Sequence, residues 1–334
     1  MARAGQSRLL PGSRRARRDA DREACRTLAR DRGADVAREL GIGLLTDQQP
    51  EAYEAIARRA DAAGIDVVSV FHDLLYQPAI GPLLLMARAT ERVRLGPAAL
   101  NPFTLHPYEI AGQIALLDTV SRGRAYLGLA KGAWLDRLGI HEPRPLGALR
   151  EAVAIVRALL AGDDTGVAGN RFTLAPGTRL AYPRFRDAVP LLVGTWGRAT
   201  ASWAGTVADE VKIGGSANPE LVPVVREWIG HADVGVVLGC VTVVAADGAW
   251  ARERARSAVA PYLEIVAGLD PTIDRAAPPP LDRFCIAGTP EEVAARVEEL
   301  WEAGADRVEL GTPQGRTTLE GVELICDRVL PLLR

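Results

Sequence analysis

The sequence is poor in the residues that build most metal and disulfide sites. Among its 334 residues there are four cysteines and four histidines. Cys25, Cys240, Cys285 and Cys326 form no CxxC pair, and thiols this scattered read as reduced cysteines of a cytoplasmic protein. His72, His106, His141 and His231 are equally dispersed, with neither HExxH nor HxH, which argues against a protein-built metal centre. No apolar run approaches the roughly 20 residues of a membrane span. No sign of charge dominates either: the net charge is −2, so no global field points to nucleic acid or an anionic membrane. What is present is a chain that is 48% hydrophobic, enough for a large core.

Residues 1–38 differ from the rest, being rich in arginine and poor in aromatics. Leu9-Leu10 is too short for a secretory h-region, and Asp19, Asp21, Glu23 and Asp31 do not suit an organellar presequence. The segment reads as a disordered N-terminal extension, and residues 39–334 as a single folded domain.

From Glu39 onward short apolar strands alternate with amphipathic helices. Strands are predicted at 40–45, 67–71, 93–100, 125–129, 190–193, 210–213, 234–244 and 307–310. Helices are predicted at 49–63, 80–89, 107–120, 146–160, 199–205, 219–229, 249–266, 290–303 and 317–329, with Thr289 capping the helix that opens on Pro290. Residues 162–189, rich in Gly, Thr, Asp and Pro, are too long for a plain loop and read as an insertion carrying a small hairpin or a lid. Residues 267–281 form a second irregular segment. Eight β-α units favour a closed α/β barrel, the TIM (β/α)8 fold, over an open sheet. A dinucleotide-binding sheet would want GxGxxG after the first strand, and Gly41-Ile42-Gly43 does not supply it.

Function in such a barrel collects just after each strand. The strand ends here carry Phe71-His72-Asp73, Asn101, Lys131-Gly132, Gly194-Thr195-Trp196-Gly197-Arg198 and Ser216. They are rich in glycine, hydroxyls and aromatics and short of carboxylates, Asp73 being the one acid directly at a strand end. Facing carboxylates for hydrolysis and a clustered ligand set for a metal are both missing. A cofactor that carries its own hydride needs a flat slot and phosphate contacts instead, and this mouth suits one. Trp196, flanked by Thr195 and Gly197, either stacks on a planar ring or plugs the barrel top. Lys131 is one of only two lysines and suits a phosphate or carboxylate; Arg198, at a helix start, suits an anion. His72-Asp73 is either a functional or a salt-linked structural pair, and His106 reads as a loop residue or an N-cap partner.

The runs Val93-Arg94-Leu95-Gly96-Pro97-Ala98-Ala99-Leu100-Asn101-Pro102, His106-Pro107, residues 116–125, residues 189–194 and Gly288-Thr289-Pro290-Glu291-Glu292 resemble the bacterial-luciferase-like superfamily. Within it the coenzyme F420-dependent 5,10-methylenetetrahydromethanopterin reductases look most similar. The resemblance spans roughly Glu39 to the C-terminus. It implies a TIM barrel with an insertion after strand and helix four, a homodimer, and a non-proline cis peptide in a bulge of strand three, which maps onto Ala98-Ala99. The cofactor ring would lie over that bulge beside Asn101. Its phosphate tail would reach Gly194–Arg198, Ser216 and the Lys131-Gly132 turn, and His72 or Asp73 would orient a small organic substrate or move its proton.

Departures from the family pattern fall on the substrate side. This chain has His72-Asp73 where relatives often carry Asp-His, Gly43 where the reductases tend to place a glutamate, and Ala133 where some relatives use an acid. Three readings follow: an F420-dependent oxidoreductase, a monooxygenase of the same barrel using reduced FMN and dioxygen, or a flavin-binding barrel without catalysis.

Overall fold

The structure, a computed structural model, describes residues 38–334; the proposed N-terminal extension lies, but for Arg38, outside the described residues. The runs Val67–Val70 and Leu191–Gly194 have nearly every residue buried, as parallel strands covered on both faces must. The strands are β1 (Glu39–Leu44), β2 (Val67–Val70), β3 (Arg94–Pro97), β4 (Leu127–Ala130), β5 (Leu191–Gly194), β6 (Glu210–Gly214), β7 (Gly235–Val244), β8 (Cys285–Gly288) and β9 (Arg307–Gln314). The helices are α1 (Pro50–Ala63), α2 (Ile80–Ala89), α3 (Pro107–Val120), α4 (Pro145–Ala161), α5 (Arg198–Ala204), α6 (Leu221–Ile229), α7 (Gly248–Val259), α8 (Leu263–Leu269), α9 (Pro290–Glu302) and α10 (Thr318–Leu324).

Eight strands pair in the order β3-β2-β1-β9-β7-β6-β5-β4. The ring closes between β3 and β4 through two bridges, Leu95 with Ala125 and Leu100 with Leu129, instead of a continuous ladder. Between them the chain bulges, and the peptide bond from Ala98 to Ala99 is cis, as the resemblance implies. Gly128 faces this bulge so closely that a Cβ there would stand 2.0 Å from the Pro97 carbonyl oxygen. The fold is therefore a nearly closed α/β barrel with helices outside.

Several sequence expectations need correction. A ninth strand, β8, joins the sheet by pairing Cys285–Gly288 with Val241–Val244. Its four residues carry no run long enough to stand out between a proline-rich stretch and α9. The single helix expected at 249–266 is two, α7 and α8, because Pro261 has no N–H to continue the ladder. The insertion holds no regular hairpin, only one antiparallel bridge from Val167 to Leu174. It is strapped over α3 and α4: Glu151 accepts from the amides of Asn170, Arg171 and Phe172, and Arg186 makes a bidentate contact to the buried Asp118. Phe172 at its tip meets His106 edge-on, with ring centroids 5.6 Å apart. The strand expected at 93–100 stops at Pro97, and the helix expected at 317–329 is α10 only to Leu324, continuing as a π-turn. The two helix starts hold: Thr289 and Glu292 form a reciprocal capping box at α9, and the His106 Nδ1 accepts from the Tyr108 amide at the start of α3.

Candidate active site

The barrel interior is built from charged side chains that neighbouring glycines accommodate. A Cβ on Gly41 would meet Glu309 at 2.8 Å, and one on Gly43 would meet the Phe71 ring at 2.6 Å. Gly43 is thus the space Phe71 occupies, which accounts locally for its small size. Lys212 from β6 and Glu309 from β9 form an ion pair with both side chains almost wholly buried. Ser69 donates to Glu309 at 2.8 Å and also bonds the Tyr126 hydroxyl at 2.6 Å. Arg307 reaches Glu309 at 3.0 Å and Glu210 at 2.7 Å, while Arg94 pairs with Glu39. Three cations thus face three carboxylates. Burial would push the Glu309 carboxyl up, but Lys212 and Arg307 outweigh it and hold it below its ordinary value.

Glu39, Arg94, Glu210 and Arg307 open their strands at the end of the barrel opposite the mouth, and Lys212 and Glu309 stand further along theirs, beneath it. The Lys212 ammonium lies 5.3 Å from the centroid of Phe71, the last aromatic of the β2 end. Next in sequence, His72 is partly buried, and its Nδ1 accepts from the Ala79 amide at 3.3 Å. That contact leaves the Nε2–H free to donate, and burial holds the ring neutral by lowering its pKa. The Asp73 carboxyl makes no hydrogen bond or ion pair to the described residues. Burial raises its pKa, and the charge of Lys212 offsets part of that rise. His72 and Asp73 are not salt-linked to each other. An imidazole whose pKa burial lowers and a carboxyl whose pKa burial raises stand next to each other at one strand end.

The proposed cofactor residues divide by exposure and partner. Ala130, Gly194 and Gly214 end the consecutive strands β4, β5 and β6 with nothing larger than a methyl, and a Cβ on Gly214 would meet open space. Asn101 is buried, its Oδ1 accepting from the Phe103 and Thr104 amides, and Gly132 packs on it with φ +84°. Lys131 is exposed beside that turn. The Thr195 hydroxyl accepts from the Gly197 amide at 2.9 Å. Trp196 donates its indole N–H to the Gly214 carbonyl at 2.9 Å and packs against the buried cluster of Val266, Ala267 and Phe284, so its ring is held at the rim. Arg198 is exposed and pairs with Glu227 at 3.3 Å. Ser216 is wholly buried, its hydroxyl accepting from the Asn218 amide within its own turn. The structure thus brings the bulge, Asn101 and Gly132 together on one side, and Gly194, Thr195 and Trp196 together on the other. It leaves Arg198 outward and Ser216 beneath the surface.

Sequence reasoning missed Lys212 and Glu309. The signal existed: a lysine in the apolar run Glu210–Gly214 and a glutamate in Arg307–Gln314 break strands that otherwise read as core. It also missed Tyr262, whose phenol is raised by burial and, further, by Cys240, Cys285 and Asp73.

The residues present fit a flat ring with a phosphate tail. The glycine and alanine residues ending β4, β5 and β6 present no bulky side chain there, and the exposed Lys131 supplies a cation next to Gly132. Among the described residues no cluster of three or more His, Cys, Asp or Glu is placed to hold a metal ion, and no helix is long and apolar enough to cross a membrane.

Comparison with known proteins bears on this site. A family model described as luciferase-like monooxygenase matches residues 37–307. A 5,10-methylenetetrahydromethanopterin reductase of Archaeoglobus fulgidus is 27% identical across 89% of this chain and 100% of its own. An F420-dependent glucose-6-phosphate dehydrogenase of Beutenbergia cavernae is 34% identical, over 45% of this chain and 48% of its own. Among solved structures, the coenzyme F420-dependent tetrahydromethanopterin reductase of Methanopyrus kandleri superposes with a TM-score of 0.80 at 24% identity, covering 89% of this chain and 100% of that one.

Proposed function

The chain belongs to the luciferase-like monooxygenase family, and within it we propose an F420-dependent oxidoreductase, similar to the methylenetetrahydromethanopterin reductases, that moves a hydride between the deazaflavin and a small organic substrate. The observation that carries this reading is likeness along nearly the whole chain to those reductases, joined to strand ends that carry glycine and alanine in place of bulky side chains. The bound cofactor supplies the hydride chemistry at C5 of its ring.

The chain's own residues do the rest. The Ala98-Ala99 bulge and the Asn101–Gly132 contact back one face of the ring, and Trp196 bounds its edge. Lys131, with the Gly194–Arg198 loop, takes the phosphate. His72 donates its Nε2–H to an oxygen or nitrogen of the substrate and so orients it. Asp73, raised by burial, carries the proton that must accompany the hydride. The buried Lys212–Glu309 ion pair lies beneath them.

The monooxygenase reading remains as a second one, because a ledge of small residues accepts FMN as readily as a deazaflavin. Fluorescence quenching of the two chromophores separates them. The reading expects F420 to bind at micromolar concentration or below and FMN at least tenfold more weakly. Tighter FMN binding would transfer the protein to the monooxygenases, and binding of neither would leave a barrel without this chemistry.

A further inference from the structure

Pro261 breaks the helix between α7 and α8 and leaves Tyr262 at the break, as the residue that precedes α8. Its half-buried ring is wedged between two apolar clusters. One holds Val243, Ala251 and Cys285; the other holds Val266, Ala267 and Phe284, against which Trp196 also packs. The turn after β6 lies against the same ring, since a Cβ on Gly215 would stand 3.7 Å from its Cε2. Tyr262 is thereby fixed beside the ends of β5 and β6. Its hydroxyl makes no hydrogen bond to the described residues.

That hydroxyl faces the far wall of the mouth. In the ring, β2 and β6 stand opposite one another, with β1, β9 and β7 between them on one side and β3, β4 and β5 on the other. Yet the charge of Asp73, at the end of β2, acts on the Tyr262 phenol, and the charge of Lys212, on β6, acts on Asp73. Tyr262 and Asp73 therefore look into one space from opposite walls. Burial first, then Cys240, Cys285 and Asp73, raise the phenol's pKa, so the group stays protonated and keeps a donor to offer.

We propose that Tyr262 is a substrate-binding residue of this mouth, its hydroxyl donating a hydrogen bond to an oxygen of the substrate across from Asp73. The inference rests on the oxidoreductase reading above and names the substrate class, a neutral carbonyl compound or the alcohol that corresponds to it. Charge decides between this class and a cation such as an iminium. A cation needs a carboxylate beside it. The one acid at a strand end, Asp73, has its charged form disfavoured by burial, and what charge it keeps is shared with Lys212. A carbonyl oxygen gains negative charge as hydride reaches its carbon, and a fixed phenol donor suits that change.

The test uses the full chain loaded with F420 and a probe, N-cyclohexylformamide, whose amide oxygen accepts hydrogen bonds as a ketone does but whose carbon takes no hydride. Tyr262→Phe keeps the ring and its packing and removes only the hydroxyl. A neutral hydrogen bond is worth about two- to twelvefold in affinity, so the variant should bind the probe that much more weakly in calorimetry, with F420 affinity and melting temperature unchanged. Wild type should also bind this probe more tightly than cyclohexylammonium, a cation of similar shape. Equal probe affinity of wild type and variant would overturn the inference, as would a probe that does not bind the loaded wild type. A loss of F420 affinity in the variant would set Tyr262 against the cofactor and overturn it as well. Tighter binding of cyclohexylammonium would overturn the substrate class. Failure of the wild type to bind F420 would overturn the F420 reading itself, a distinguishable result.

Discussion

At the scale of single residues, the account turns on a few buried polar groups whose electrostatics are opposed. Lys212 and Glu309 neutralise one another inside the barrel, so removing one strands the other. Lys212→Met should cost about 3–5 kcal/mol in chemical denaturation, and the Lys212→Met, Glu309→Leu pair should recover much of it. A double variant no more stable than the single one would show that the pair is not what the barrel interior depends on. Asp73 works the other way. Its folded pKa is raised, so its contribution is complete below the ordinary carboxyl range near 4 and declines as pH rises. Asp73→Asn should therefore stabilise the protein at pH 7, with the gain shrinking toward pH 4, while turnover falls. His72 has a depressed pKa, so stability is lost as pH drops from about 6.5 through its folded value. Denaturation between pH 5 and 7.5 should show a flatter slope for His72→Gln than for the wild type. Trp196→Ala should weaken cofactor binding; unchanged affinity would remove this residue from the rim.

At the scale of elements, the alternation of short apolar runs with amphipathic helices makes the barrel legible in the sequence. Each half of a β-α unit carries its own periodicity and its own stops, Thr289-Pro290 before α9 and Gly162 after α4 among them. What stayed hidden had physical reasons. Cys285–Gly288 becomes a strand only because the upper half of β7 has a free edge there, a tertiary fact with no local signal. The route of the insertion over α3 and α4 depends on Glu151 capturing three amides about twenty residues away. Glu151→Ala should release that tip, and hydrogen exchange at the amides of 170–172 should quicken while the barrel strands stay protected. The site was legible in part: the strand ends named the right loops, but the sequence could not say that the hydroxyl of Ser216 turns inward or that Asn101 spends its carbonyl on its own turn. Gly43 illustrates the same limit. Read along the chain it is a missing glutamate; read in three dimensions it is the space for Phe71, and Gly43→Leu should cost about 1–3 kcal/mol through overpacking.

At the scale of the whole molecule, a closed ring of strands gathers loops from distant parts of the sequence onto one face. It sets the buried Lys212–Glu309 ion pair beneath them. Around that face His72 and Asp73 at the end of β2 come first, then the bulge after β3, then the small-residue ledge on β4, β5 and β6. The central claim is that a deazaflavin ring lies over the bulge and faces His72 and Asp73. The most direct measurement is a crystal structure of the protein with F420 bound. The account predicts ring density against Ala98-Ala99, the open face turned toward His72 and Asp73, and the phosphate beside Lys131. A ring bound away from the bulge, or one whose face is blocked from His72 and Asp73, would contradict it.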